Sequence, residues 1–514
     1  MIIDTMPRQT VIDRTGEPLG PGWLRRAATK PEQHEQVSSH VWRTGPKLRF
    51  RDTLTQAIDE AEEQVLLCSF LLADERLADA LIQAAERGVR VYIITASEQR
   101  LNNLIGDEDD FGKRMFEQHK TLLSRLAGKV LLRSAEHVHA KFLVVDALRQ
   151  NSARAWLSTA NFNKALQDNI ELGVQLEQDS AQALAECFHW AFWCEAQREL
   201  RSANRLVEIK APPARPRRPA HDQVVATLEG SNDLREAVIA MIRSAQREVL
   251  VSSYGLDADH AVLDELIRVA ERGVRISVLT RPRPAVAAGV KKLTDAGIQV
   301  LAHDKLHAKA LVVDGRAMVM TANLDAFGLD SGFEVGAKLP TSSATAIEQT
   351  LRDWIDTFPW IYRADASRGE HLGDFCPSNK GLREGIVRVV EHCDKVLPDV
   401  EASDALSLDS APAPQAQAQA QASDTTEELA QRLTLHWNVK APRLPAGATE
   451  FKRSVEQEHV RDGKPIKERI QVSFDPPVYQ HKGLKYIVIR SDEEQEHALR
   501  TAAQLGARLV LERI

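Results

Sequence analysis

Histidine and lysine occur two residues apart at two matching places in this 514-residue chain. The first pair is His139 and Lys141 in HVHAKFLVVD, and the second is His307 and Lys309 in KLHAKALVVD. Residues two apart in an extended strand point to the same face, so each imidazole is expected beside an ammonium group. An imidazole can attack phosphorus or donate a proton, while an ammonium group neutralises phosphate oxygens. The two pairs therefore predict a single phosphoryl-transfer site to which both segments contribute.

Further polar residues follow each pair at similar distances. An asparagine can donate to a phosphate oxygen, and a glutamate can accept from the second imidazole nitrogen, which fixes the tautomer. Aspartate and threonine are expected to support the site structurally rather than to react. In each copy these residues occur in the same order: Asp146, Thr159, Asn161 and Glu171 after the first pair, and Asp314, Thr321, Asn323 and Glu334 after the second.

Both motifs belong to an internal repeat. The segment AAERGVRVYIIT at 84–95 matches VAERGVRISVLT at 269–280, and a helix-then-strand pattern at 54–70 matches another at 234–254. Each ERGVR segment predicts an amphipathic helix that ends at its glycine and leads into a buried strand. A lone His-x-Lys is usually an exposed strand edge, but three matched blocks in the same order favour a functional site.

Alternating helices and apolar strands predict an α/β fold with two pseudo-symmetric repeats, each a mixed sheet flanked by helices. A small C-terminal α+β module is expected to follow them. The polar, low-complexity stretch before this module predicts disorder. The predicted order is an N-terminal extension (1–41), the first repeat (42–209), a basic Pro-rich linker (210–223), the second repeat (224–365), a helical extension (366–400), a disordered linker (401–428) and the module (429–514).

Composition bounds the class of protein. A net charge of -7 argues against general coating of a polyanion, so any polyanion site must be a local basic groove. The five scattered cysteines do not predict a disulfide framework. With no secretory signal and no apolar run long enough to span a bilayer, we expect a cytoplasmic protein without integral membrane association. No metal or other cofactor is expected, because the grouping of His371, Cys376, His392 and Cys393 does not have zinc-site spacing.

The doubled motif resembles the paired HxK-x4-D motifs of the phospholipase D superfamily. This resemblance implies two halves around one metal-independent site and a covalent phosphohistidine intermediate. By the family pattern His139 is the nucleophile and His307 the general acid. One departure is that Ser158-Thr159 and Met320-Thr321 stand where the family often has Gly-Ser. The resemblance further implies that Lys141, Lys309, Asn161 and Asn323 bind the phosphate and that Glu171 and Glu334 orient the histidines.

The superfamily includes lipid hydrolases, lipid synthases and nucleases, and the motif does not separate them. A nuclease that cleaves DNA or RNA is favoured, since basic residues are expected near the rim of the site and could follow a phosphate backbone. The chain is also similar to bacterial phospholipase D-like nucleases of anti-phage defence, which implies a helicase or ATPase partner at the C-terminal module. The basic residues are Lys113, Arg114, His119 and Lys120 in the first repeat, and Arg281, Arg283, Lys291 and Lys292 in the second.

Two alternatives remain open. A peripheral phospholipase or phosphatidyltransferase requires an apolar lip near the site, and the aromatic-rich segments 188–200 and 353–363 could provide one. Their matching places at the ends of both repeats fit helices packed on the sheets better. The second alternative is a catalytically silent scaffold, although both histidines and both lysines are present. Because one chain carries both half-sites, a dimer is not required.

Overall fold

The structure is a computed structural model, and it divides into two compact units that are described separately. The first unit contains residues 21–364 and 373–383, and the second contains residues 1–20, 365–372 and 384–514. The residues that the structure describes are 21–26, 34–104, 110–149, 152–203, 205–212, 214–364, 372–375, 381–384, 449–450, 452–461, 464–473, 477–481, 484–489 and 508–511.

The first repeat forms a mixed sheet with helices packed on it. Its strands follow one N-terminal strand, β1 (Gly22–Arg25), and are β2 (Gln36–Ser38), β3 (Val41–Arg43), β4 (Gln64–Ser69), β5 (Arg90–Ala96), β6 (Leu131–Ala135), β7 (Phe142–Val145), β8 (Arg154–Ser158), β9 (Leu172–Leu176), β10 (Arg198–Ser202) and β11 (Arg205–Glu208). The strand order is β11-β10-β6-β5-β4-β7-β8-β9-β3-β2. The helices are α1 (Arg49–Asp59), α2 (Glu75–Glu86), α3 (Glu98–Leu104), α4 (Asp110–Leu126), α5 (Ala165–Asp168) and α6 (Gln178–Trp190).

The second repeat has the same central topology. Its strands are β12 (Val224–Leu228), β13 (Ser231–Asn232), β14 (Glu248–Ser252), β15 (Arg275–Thr280), β16 (Gln299–Ala302), β17 (Ala310–Val313), β18 (Arg316–Met320), β19 (Glu334–Lys338) and β20 (Trp360–Arg363), and two more, β21 (Leu372–Phe375) and β22 (Leu382–Glu384), follow. The helices are α7 (Asp233–Arg243), α8 (Ala261–Glu271), α9 (Ala287–Asp295) and α10 (Thr341–Thr357). The order β13-β12-β19-β18-β17-β14-β15-β16-β20-β1-β21-β22 contains the counterpart of each central strand of the first sheet.

Three central strands of each repeat run parallel, and a fourth pairs antiparallel with the first of them. In the first repeat β4 pairs parallel with β5 and β5 with β6, while β4 pairs antiparallel with β7. The second repeat repeats this pattern with β14, β15, β16 and β17. The prediction of a mixed sheet flanked by helices in each repeat is therefore confirmed.

Glycine ends the second helix of each repeat, as the ERGVR segments predict. Gly88 has φ 92° after α2, and Gly273 has φ 87° after α8. This left-handed conformation costs glycine little, and it turns the chain so that the next residues enter a strand. The N–H of Gly88 donates to the carbonyl of Ala85 at 3.0 Å, and that of Gly273 to Ala270 at 2.8 Å. These turns set the starting points of β5 and β15.

Both repeats contribute to one buried core. Phe142 and Phe188 of the first repeat lie in the same apolar cluster as Phe333 and Trp354 of the second. The rings of Phe142 and Phe333 are 6.3 Å apart and edge to face. The helical parts of the aromatic-rich segments pack there, as predicted, but the segments end in the strands β10 and β20, and Trp193 is 45% exposed.

The flanking segments differ from the simple extensions expected of them. The N-terminal strand β1 pairs antiparallel with β20 and so extends the second sheet. Within the predicted helical extension 366–400, the described residues form the strands β21 and β22, not a helix. Burial of Leu382, whose N–H donates to the Asp304 carboxylate at 3.2 Å, explains why this part is held as an edge strand. The described residues of the linker 210–223 form neither helix nor strand.

The C-terminal module contains small sheets in its described residues. Its strands are β23 (Thr449–Glu450), β24 (Lys452–Arg461), β25 (Lys464–Ser473), β26 (Val478–His481), β27 (Leu484–Ile489) and β28 (Arg508–Leu511). The order β23-β26-β27-β28 forms one sheet, and β24 pairs with β25 in a hairpin. The module's predicted helix, EEQEHALRTAAQLG at 493–506, and the linker 401–428, which is predicted to be disordered, lie outside the described residues.

Candidate active site

Each His-x-Lys segment lies just before a strand and pairs its backbone with the other repeat. The N–H groups of His139 and Ala140 donate to the Phe333 carbonyl at 3.1 and 2.9 Å. In the second repeat the N–H groups of His307 and Ala308 both donate to the Ile170 carbonyl at 3.0 Å. The histidines and lysines therefore lie ahead of the strands rather than within them, and their backbone partners are short stretches of the opposite repeat. This pairing fixes both histidines at the boundary between the repeats.

A glutamate from the opposite repeat binds each imidazole. Nδ1 of His139 lies 2.5 Å from Oε1 of Glu334, and Nδ1 of His307 lies 2.6 Å from Oε1 of Glu171. Glu171 and Glu334 are fully buried, while each histidine side chain keeps 16% of its surface exposed. A carboxylate that accepts from Nδ1–H leaves the lone pair on Nε2. Both histidines are therefore held in the tautomer that can attack an electrophile through Nε2.

The threonines hold the second oxygen of each glutamate. The hydroxyl of Thr159 donates to Oε2 of Glu171 at 2.6 Å, and that of Thr321 donates to Oε2 of Glu334 at 2.5 Å. Each hydroxyl also accepts a backbone N–H, from Leu172 or from Val335. A carboxylate bonded through both oxygens has one orientation, so the threonines stabilise the imidazole position indirectly.

The lysines complete a dense group of charges. Lys141 and Lys309 are fully buried. Nζ of Lys141 lies 2.9 Å from Nδ1 of His139 and donates to the carbonyl of the same residue. Lys309 repeats this arrangement, 2.9 Å from Nδ1 of His307 and 2.5 Å from its carbonyl oxygen. The two half-sites are close enough for the charge of each lysine to act on the histidine of the other.

Burial dominates the titration of these groups. It lowers the pKa of His139 to about 4 and that of His307 to about 3, against the opposing pull of the partner glutamates. It also lowers the pKa of Lys141 to about 8 and that of Lys309 to about 7. Near pH 7 both imidazoles of the unliganded site are therefore neutral.

The glutamates behave in the opposite way. Burial raises the pKa of each, but the charges of the adjacent histidine and lysine and the hydrogen bonds from histidine and threonine outweigh it. The result is a pKa of about 2 for both Glu171 and Glu334. Two ionised carboxylates are thus retained inside the protein, where they can stabilise an imidazolium during a reaction.

The asparagines and aspartates occupy different environments. Oδ1 of Asn161 and of Asn323 is buried and has no hydrogen-bond partner among the described residues. Asp146 instead accepts three backbone N–H groups ahead of β4, from Glu62, Glu63 and Gln64. Asp314 does the same ahead of β14. The aspartates therefore stabilise the first residues of β4 and β14. The amide oxygens of the two asparagines are left without a donor among the described residues.

Comparison with known proteins agrees with this doubled site. A sequence profile described as "Cardiolipin synthase, PLD-like domain" matches residues 54–193 and 238–357, about half of the chain, with one match in each repeat. The chain belongs to the phospholipase D superfamily. It is a phosphodiesterase of that superfamily, and the site described above is the one that its two matched segments share.

The chain is also similar to several individual proteins and solved structures. Cardiolipin synthase B of Shigella flexneri is 25% identical over 354 residues, covering 61% of this chain and 80% of that protein. Cardiolipin synthase of Geobacillus kaustophilus is 31% identical over 135 residues, which are 24% of this chain and 26% of that protein. The crystal structure of phosphatidylserine synthase of Haemophilus influenzae covers 66% of this chain and 89% of its own, with 12% identity and a TM-score of 0.44. The phospholipase D family member Nuc of Salmonella typhimurium covers 27% and 97%, with 22% identity and a TM-score of 0.25.

Aromatic rings beside the imidazoles are the part of the site that sequence reasoning missed. The Phe70 ring lies 5.0 Å from the His139 ring, and Phe327 lies 5.9 Å from it. Tyr254 takes the position of Phe70 in the second repeat, 4.6 Å from His307. Arg100 lies over the Phe327 ring at 3.9 Å. A signal was present, because Phe70 and Tyr254 end the matched blocks at 54–70 and 234–254.

The predicted basic rim divides into different groups. Arg281 and Arg283 lie over the Tyr254 ring, at 5.3 and 3.7 Å from its centroid, and so adjoin the site. Lys291 is paired with Asp295 and Lys292 with Asp264, and no described contact joins either lysine to the site. Of the four basic residues predicted in the second repeat, the two arginines therefore lie beside the site and the two lysines do not.

The basic residues of the first repeat lie on α4. His119 is buried, with Nδ1 held by the backbone of Leu72, which makes it part of the interior. Lys120 is paired with Glu117. Arg114 is exposed on this helix, and the side chain of Lys113 lies outside what the structure describes.

The described residues contain no candidate metal site and no candidate membrane span. No group of three or more His, Cys, Asp or Glu side chains there could hold a metal ion. His371, Cys376, His392 and Cys393 lie outside those residues. In the same part of the chain, no helix has the length and apolar character needed to cross a membrane.

Proposed function

We propose that this chain is a phosphatidyltransferase or phospholipase, which breaks a glycerophospholipid phosphodiester and passes the phosphatidyl group to an alcohol or to water. The observation that carries the proposal is the doubled His–Glu site inside a chain that is 25% identical to cardiolipin synthase B over 354 residues. That similarity extends over 61% of this chain.

The first step forms a phosphohistidine. Nε2 of one histidine attacks phosphorus, and the bond from phosphorus to the leaving alcohol oxygen breaks. The second histidine, protonated in the substrate complex, gives its Nε2 proton to that oxygen. The anionic substrate favours this protonation because it adds negative charge beside an imidazole that is neutral in the unliganded site. His139 is assigned as nucleophile and His307 as acid, and the pseudo-symmetry makes the opposite assignment chemically equivalent.

The second step reverses the proton flow. The second histidine, now neutral, accepts a proton from the hydroxyl of an alcohol or of water. The oxygen of that hydroxyl attacks phosphorus, and the phosphorus–nitrogen bond breaks. Both histidines then return to their starting states, so the reaction needs no oxidant or other reactant.

The remaining groups bind the phosphate or support the histidines. Lys141 and Lys309 are proposed to neutralise the non-bridging oxygens. Asn161 and Asn323 are proposed to donate from their Nδ2 groups to the same oxygens. Glu171 and Glu334 stabilise the imidazolium forms across the repeat boundary.

A lipid substrate is favoured over nucleic acid by two observations. Both repeats are similar to cardiolipin synthases, and the aromatic rings of Phe70, Phe327 and Tyr254 lie beside the two imidazoles. The argument for a nuclease relied on a basic rim, of which Arg281 and Arg283 adjoin the site while Lys291 and Lys292 are paired with carboxylates away from it. Cleavage of DNA or RNA, with a helicase or ATPase partner, remains the competing hypothesis.

One assay set separates these functions. Purified chain is incubated in excess EDTA with phosphatidylglycerol in mixed micelles, and in parallel with single- and double-stranded DNA and RNA. His139→Ala and His307→Ala serve as matched controls because they remove one imidazole from each half-site. Lys292→Gln serves as the surface control.

We expect release or transfer of the phosphatidyl group by the wild-type chain and by Lys292→Gln, and its loss in both histidine variants. Nucleic acid cleavage that both histidine variants abolish, without lipid turnover, would replace the lipid proposal with the nuclease. Turnover that survives in either histidine variant would contradict the shared site itself.

A further inference from the structure

Two arginines separated by one proline follow β15 beside the His307 half-site. The guanidinium of Arg283 lies 3.7 Å from the centroid of the Tyr254 ring, and that of Arg281 lies 5.3 Å from it. The same ring adjoins the catalytic pair. Its centroid is 4.6 Å from that of the His307 ring and 5.9 Å from Nζ of Lys309. Both guanidinium groups therefore gather around one ring that contacts the imidazole.

Neither arginine has a carboxylate partner in the described part of the chain. Nη2 of Arg281 donates to the side-chain oxygen of Asn169 at 3.3 Å, and Nη2 of Arg283 donates to the carbonyl of Tyr254 at 3.2 Å. Nε of both arginines is buried without a hydrogen-bond acceptor, and so is the hydroxyl of Thr280 next to them. These are unused hydrogen-bonding groups at one place.

Two carboxylates whose charges act on the arginines already accept hydrogen bonds from the backbone. The Asp304 carboxylate accepts the N–H of Leu382, and the Asp325 carboxylate accepts the N–H of Gly328 at 2.8 Å. Asp304 and Asp325 act on the arginines only through space, without an ion pair. Lys292 of the same repeat shows the contrast, since its ammonium group is 2.7 Å from Asp264.

Two adjacent cations with neutral partners are costly to keep away from water. Burial lowers the pKa of Arg283, the Tyr254 phenol opposes that shift, and the charge of Arg281 adds to it. A phosphate between the two groups would remove the repulsion and accept charge-assisted hydrogen bonds from both. In the first repeat Arg100 lies over the Phe70 and Phe327 rings, which adjoin His139, and one of its nitrogens donates to the Glu136 carbonyl. The anion-binding character is therefore stronger on the His307 side.

We propose that Arg281 and Arg283 form a second anion subsite, which holds a phosphate group of the substrate or acceptor other than the one that reacts. This inference rests on the proposed phosphoryl-transfer site and deepens it by naming the substrate class. The chain would therefore prefer reactants that carry a second phosphate close to the reacting one. Tyr254 is a positioning residue, since its ring holds both guanidinium groups next to His307.

The test uses two soluble phosphodiesters with the same leaving group. One is 4-nitrophenyl glyceryl phosphate, and the other is the same compound with a second phosphate on the glycerol. The readout is the ratio of kcat/KM for the two-phosphate compound to that for the one-phosphate compound, so a general loss of activity cancels. We expect the wild-type ratio to exceed 1 and to fall about 10-fold in Arg281→Gln and in Arg283→Gln, mainly through KM, as for loss of a charge-assisted hydrogen bond.

Two controls keep the result specific. Arg283→Lys preserves the charge and should recover part of the ratio, while Lys292→Gln, next to the same segment but paired with Asp264, should leave the ratio at its wild-type value. Circular dichroism of each variant checks folding. A wild-type ratio near 1, or a ratio that neither arginine variant changes, would overturn the subsite.

A lipid arm distinguishes this inference from the proposed function. Phosphatidyl transfer is measured to glycerol and to phosphatidylglycerol, and the arginine variants should raise KM only for the acceptor that carries phosphate. If lipid is not turned over while the soluble ratio behaves as expected, the lipid substrate is wrong and the subsite stands. If lipid transfer occurs with equal acceptor KM in wild type and variants, the subsite is wrong and the proposed function stands.

Discussion

Each imidazole of the site donates its Nδ1 proton to a carboxylate that the other repeat supplies. At the scale of residues, this predicts a crossed effect of mutation. Glu334→Gln should alter His139 and leave His307 nearly unchanged, because Oε1 of Glu334 lies 2.5 Å from Nδ1 of His139. We expect kcat to fall about 100- to 10,000-fold, since the amide neither fixes the tautomer as firmly nor stabilises the imidazolium. Nitrogen-15 NMR of the histidine rings measures the tautomer directly.

Glu171→Gln is the matched variant, and it should change the His307 resonances instead. Thr321→Val probes the same chain of contacts one step away, with a smaller loss of kcat, because Glu334 would keep its bond to His139 and lose the one from the hydroxyl. If Glu334→Gln shifted the His307 signals and spared those of His139, the crossed pairing would be wrong.

The titration of the site predicts a bell-shaped pH profile. As pH rises through about 4 the nucleophile His139 of the free enzyme loses its proton, so kcat/KM should increase for a substrate whose leaving group departs without a proton. As pH rises through about 7 to 8, Lys309 and Lys141 lose their charges, so kcat/KM should decrease because the phosphate oxygens are no longer neutralised. Initial rates with bis(4-nitrophenyl) phosphate in constant ionic strength measure both limbs. A flat profile from pH 7 to 9 would contradict the role given to the lysines.

The sequence predicts which residues form the site better than it predicts how they pair. His139, Lys141 and their counterparts are visible because one motif occurs twice in matched surroundings. The crossed glutamates could not be assigned, since two identical motifs support pairing within a repeat and between repeats equally. The backbone contacts at Phe333 and Ile170, which decide between them, depend on how the two sheets meet in space.

At the scale of elements, Asp146 has a testable structural role. It adopts φ 53°, a conformation that is unfavourable for most side chains, and accepts three backbone N–H groups ahead of β4. Asp146→Ala should therefore destabilise the protein by about 2 to 4 kcal/mol, from lost hydrogen bonds plus backbone strain. Denaturant unfolding measures this, and kcat of the folded fraction should stay near wild type.

Related substitutions at this position separate the two causes. Asp146→Gly also loses the hydrogen bonds but is not strained in the left-handed conformation. It should therefore be less destabilising than Asp146→Ala by about 1 kcal/mol. Asp146→Asn keeps one acceptor oxygen and tolerates the left-handed conformation, so it should be the mildest change. An alanine variant as stable as wild type would show that these contacts do not stabilise β4.

Elements were predictable where local chemistry decides them. The glycines of the ERGVR segments end α2 and α8 because the left-handed turn they make is encoded in a few adjacent residues. The stretch expected to be helical after the second repeat contains β22, because Leu382 is buried and bonded to Asp304, far away in sequence. Edge strands that depend on a distant partner leave little local pattern to detect.

At the scale of the whole molecule, the repeats are held together by more than the linker between them. Phe142 and Phe333 belong to one buried core, and each His-x-Lys segment makes backbone hydrogen bonds to the opposite repeat. A site whose every imidazole needs a carboxylate from the other half can form only while the halves are docked. The covalent connection through 210–223 is then less important than the shared core.

Cutting this linker tests the idea. A specific protease site is inserted between Lys210 and Ala214, in a part of the linker whose described residues form neither helix nor strand. After cleavage of the folded protein, both fragments should elute together in size-exclusion chromatography and keep near-wild-type kcat, because the buried core and crossed glutamates remain. Phe142→Ala in the same background should weaken the association by creating a cavity in the shared core. Separation of the cleaved fragments with loss of activity, in the protein that retains Phe142, would mean that the linker rather than the core holds the active site together.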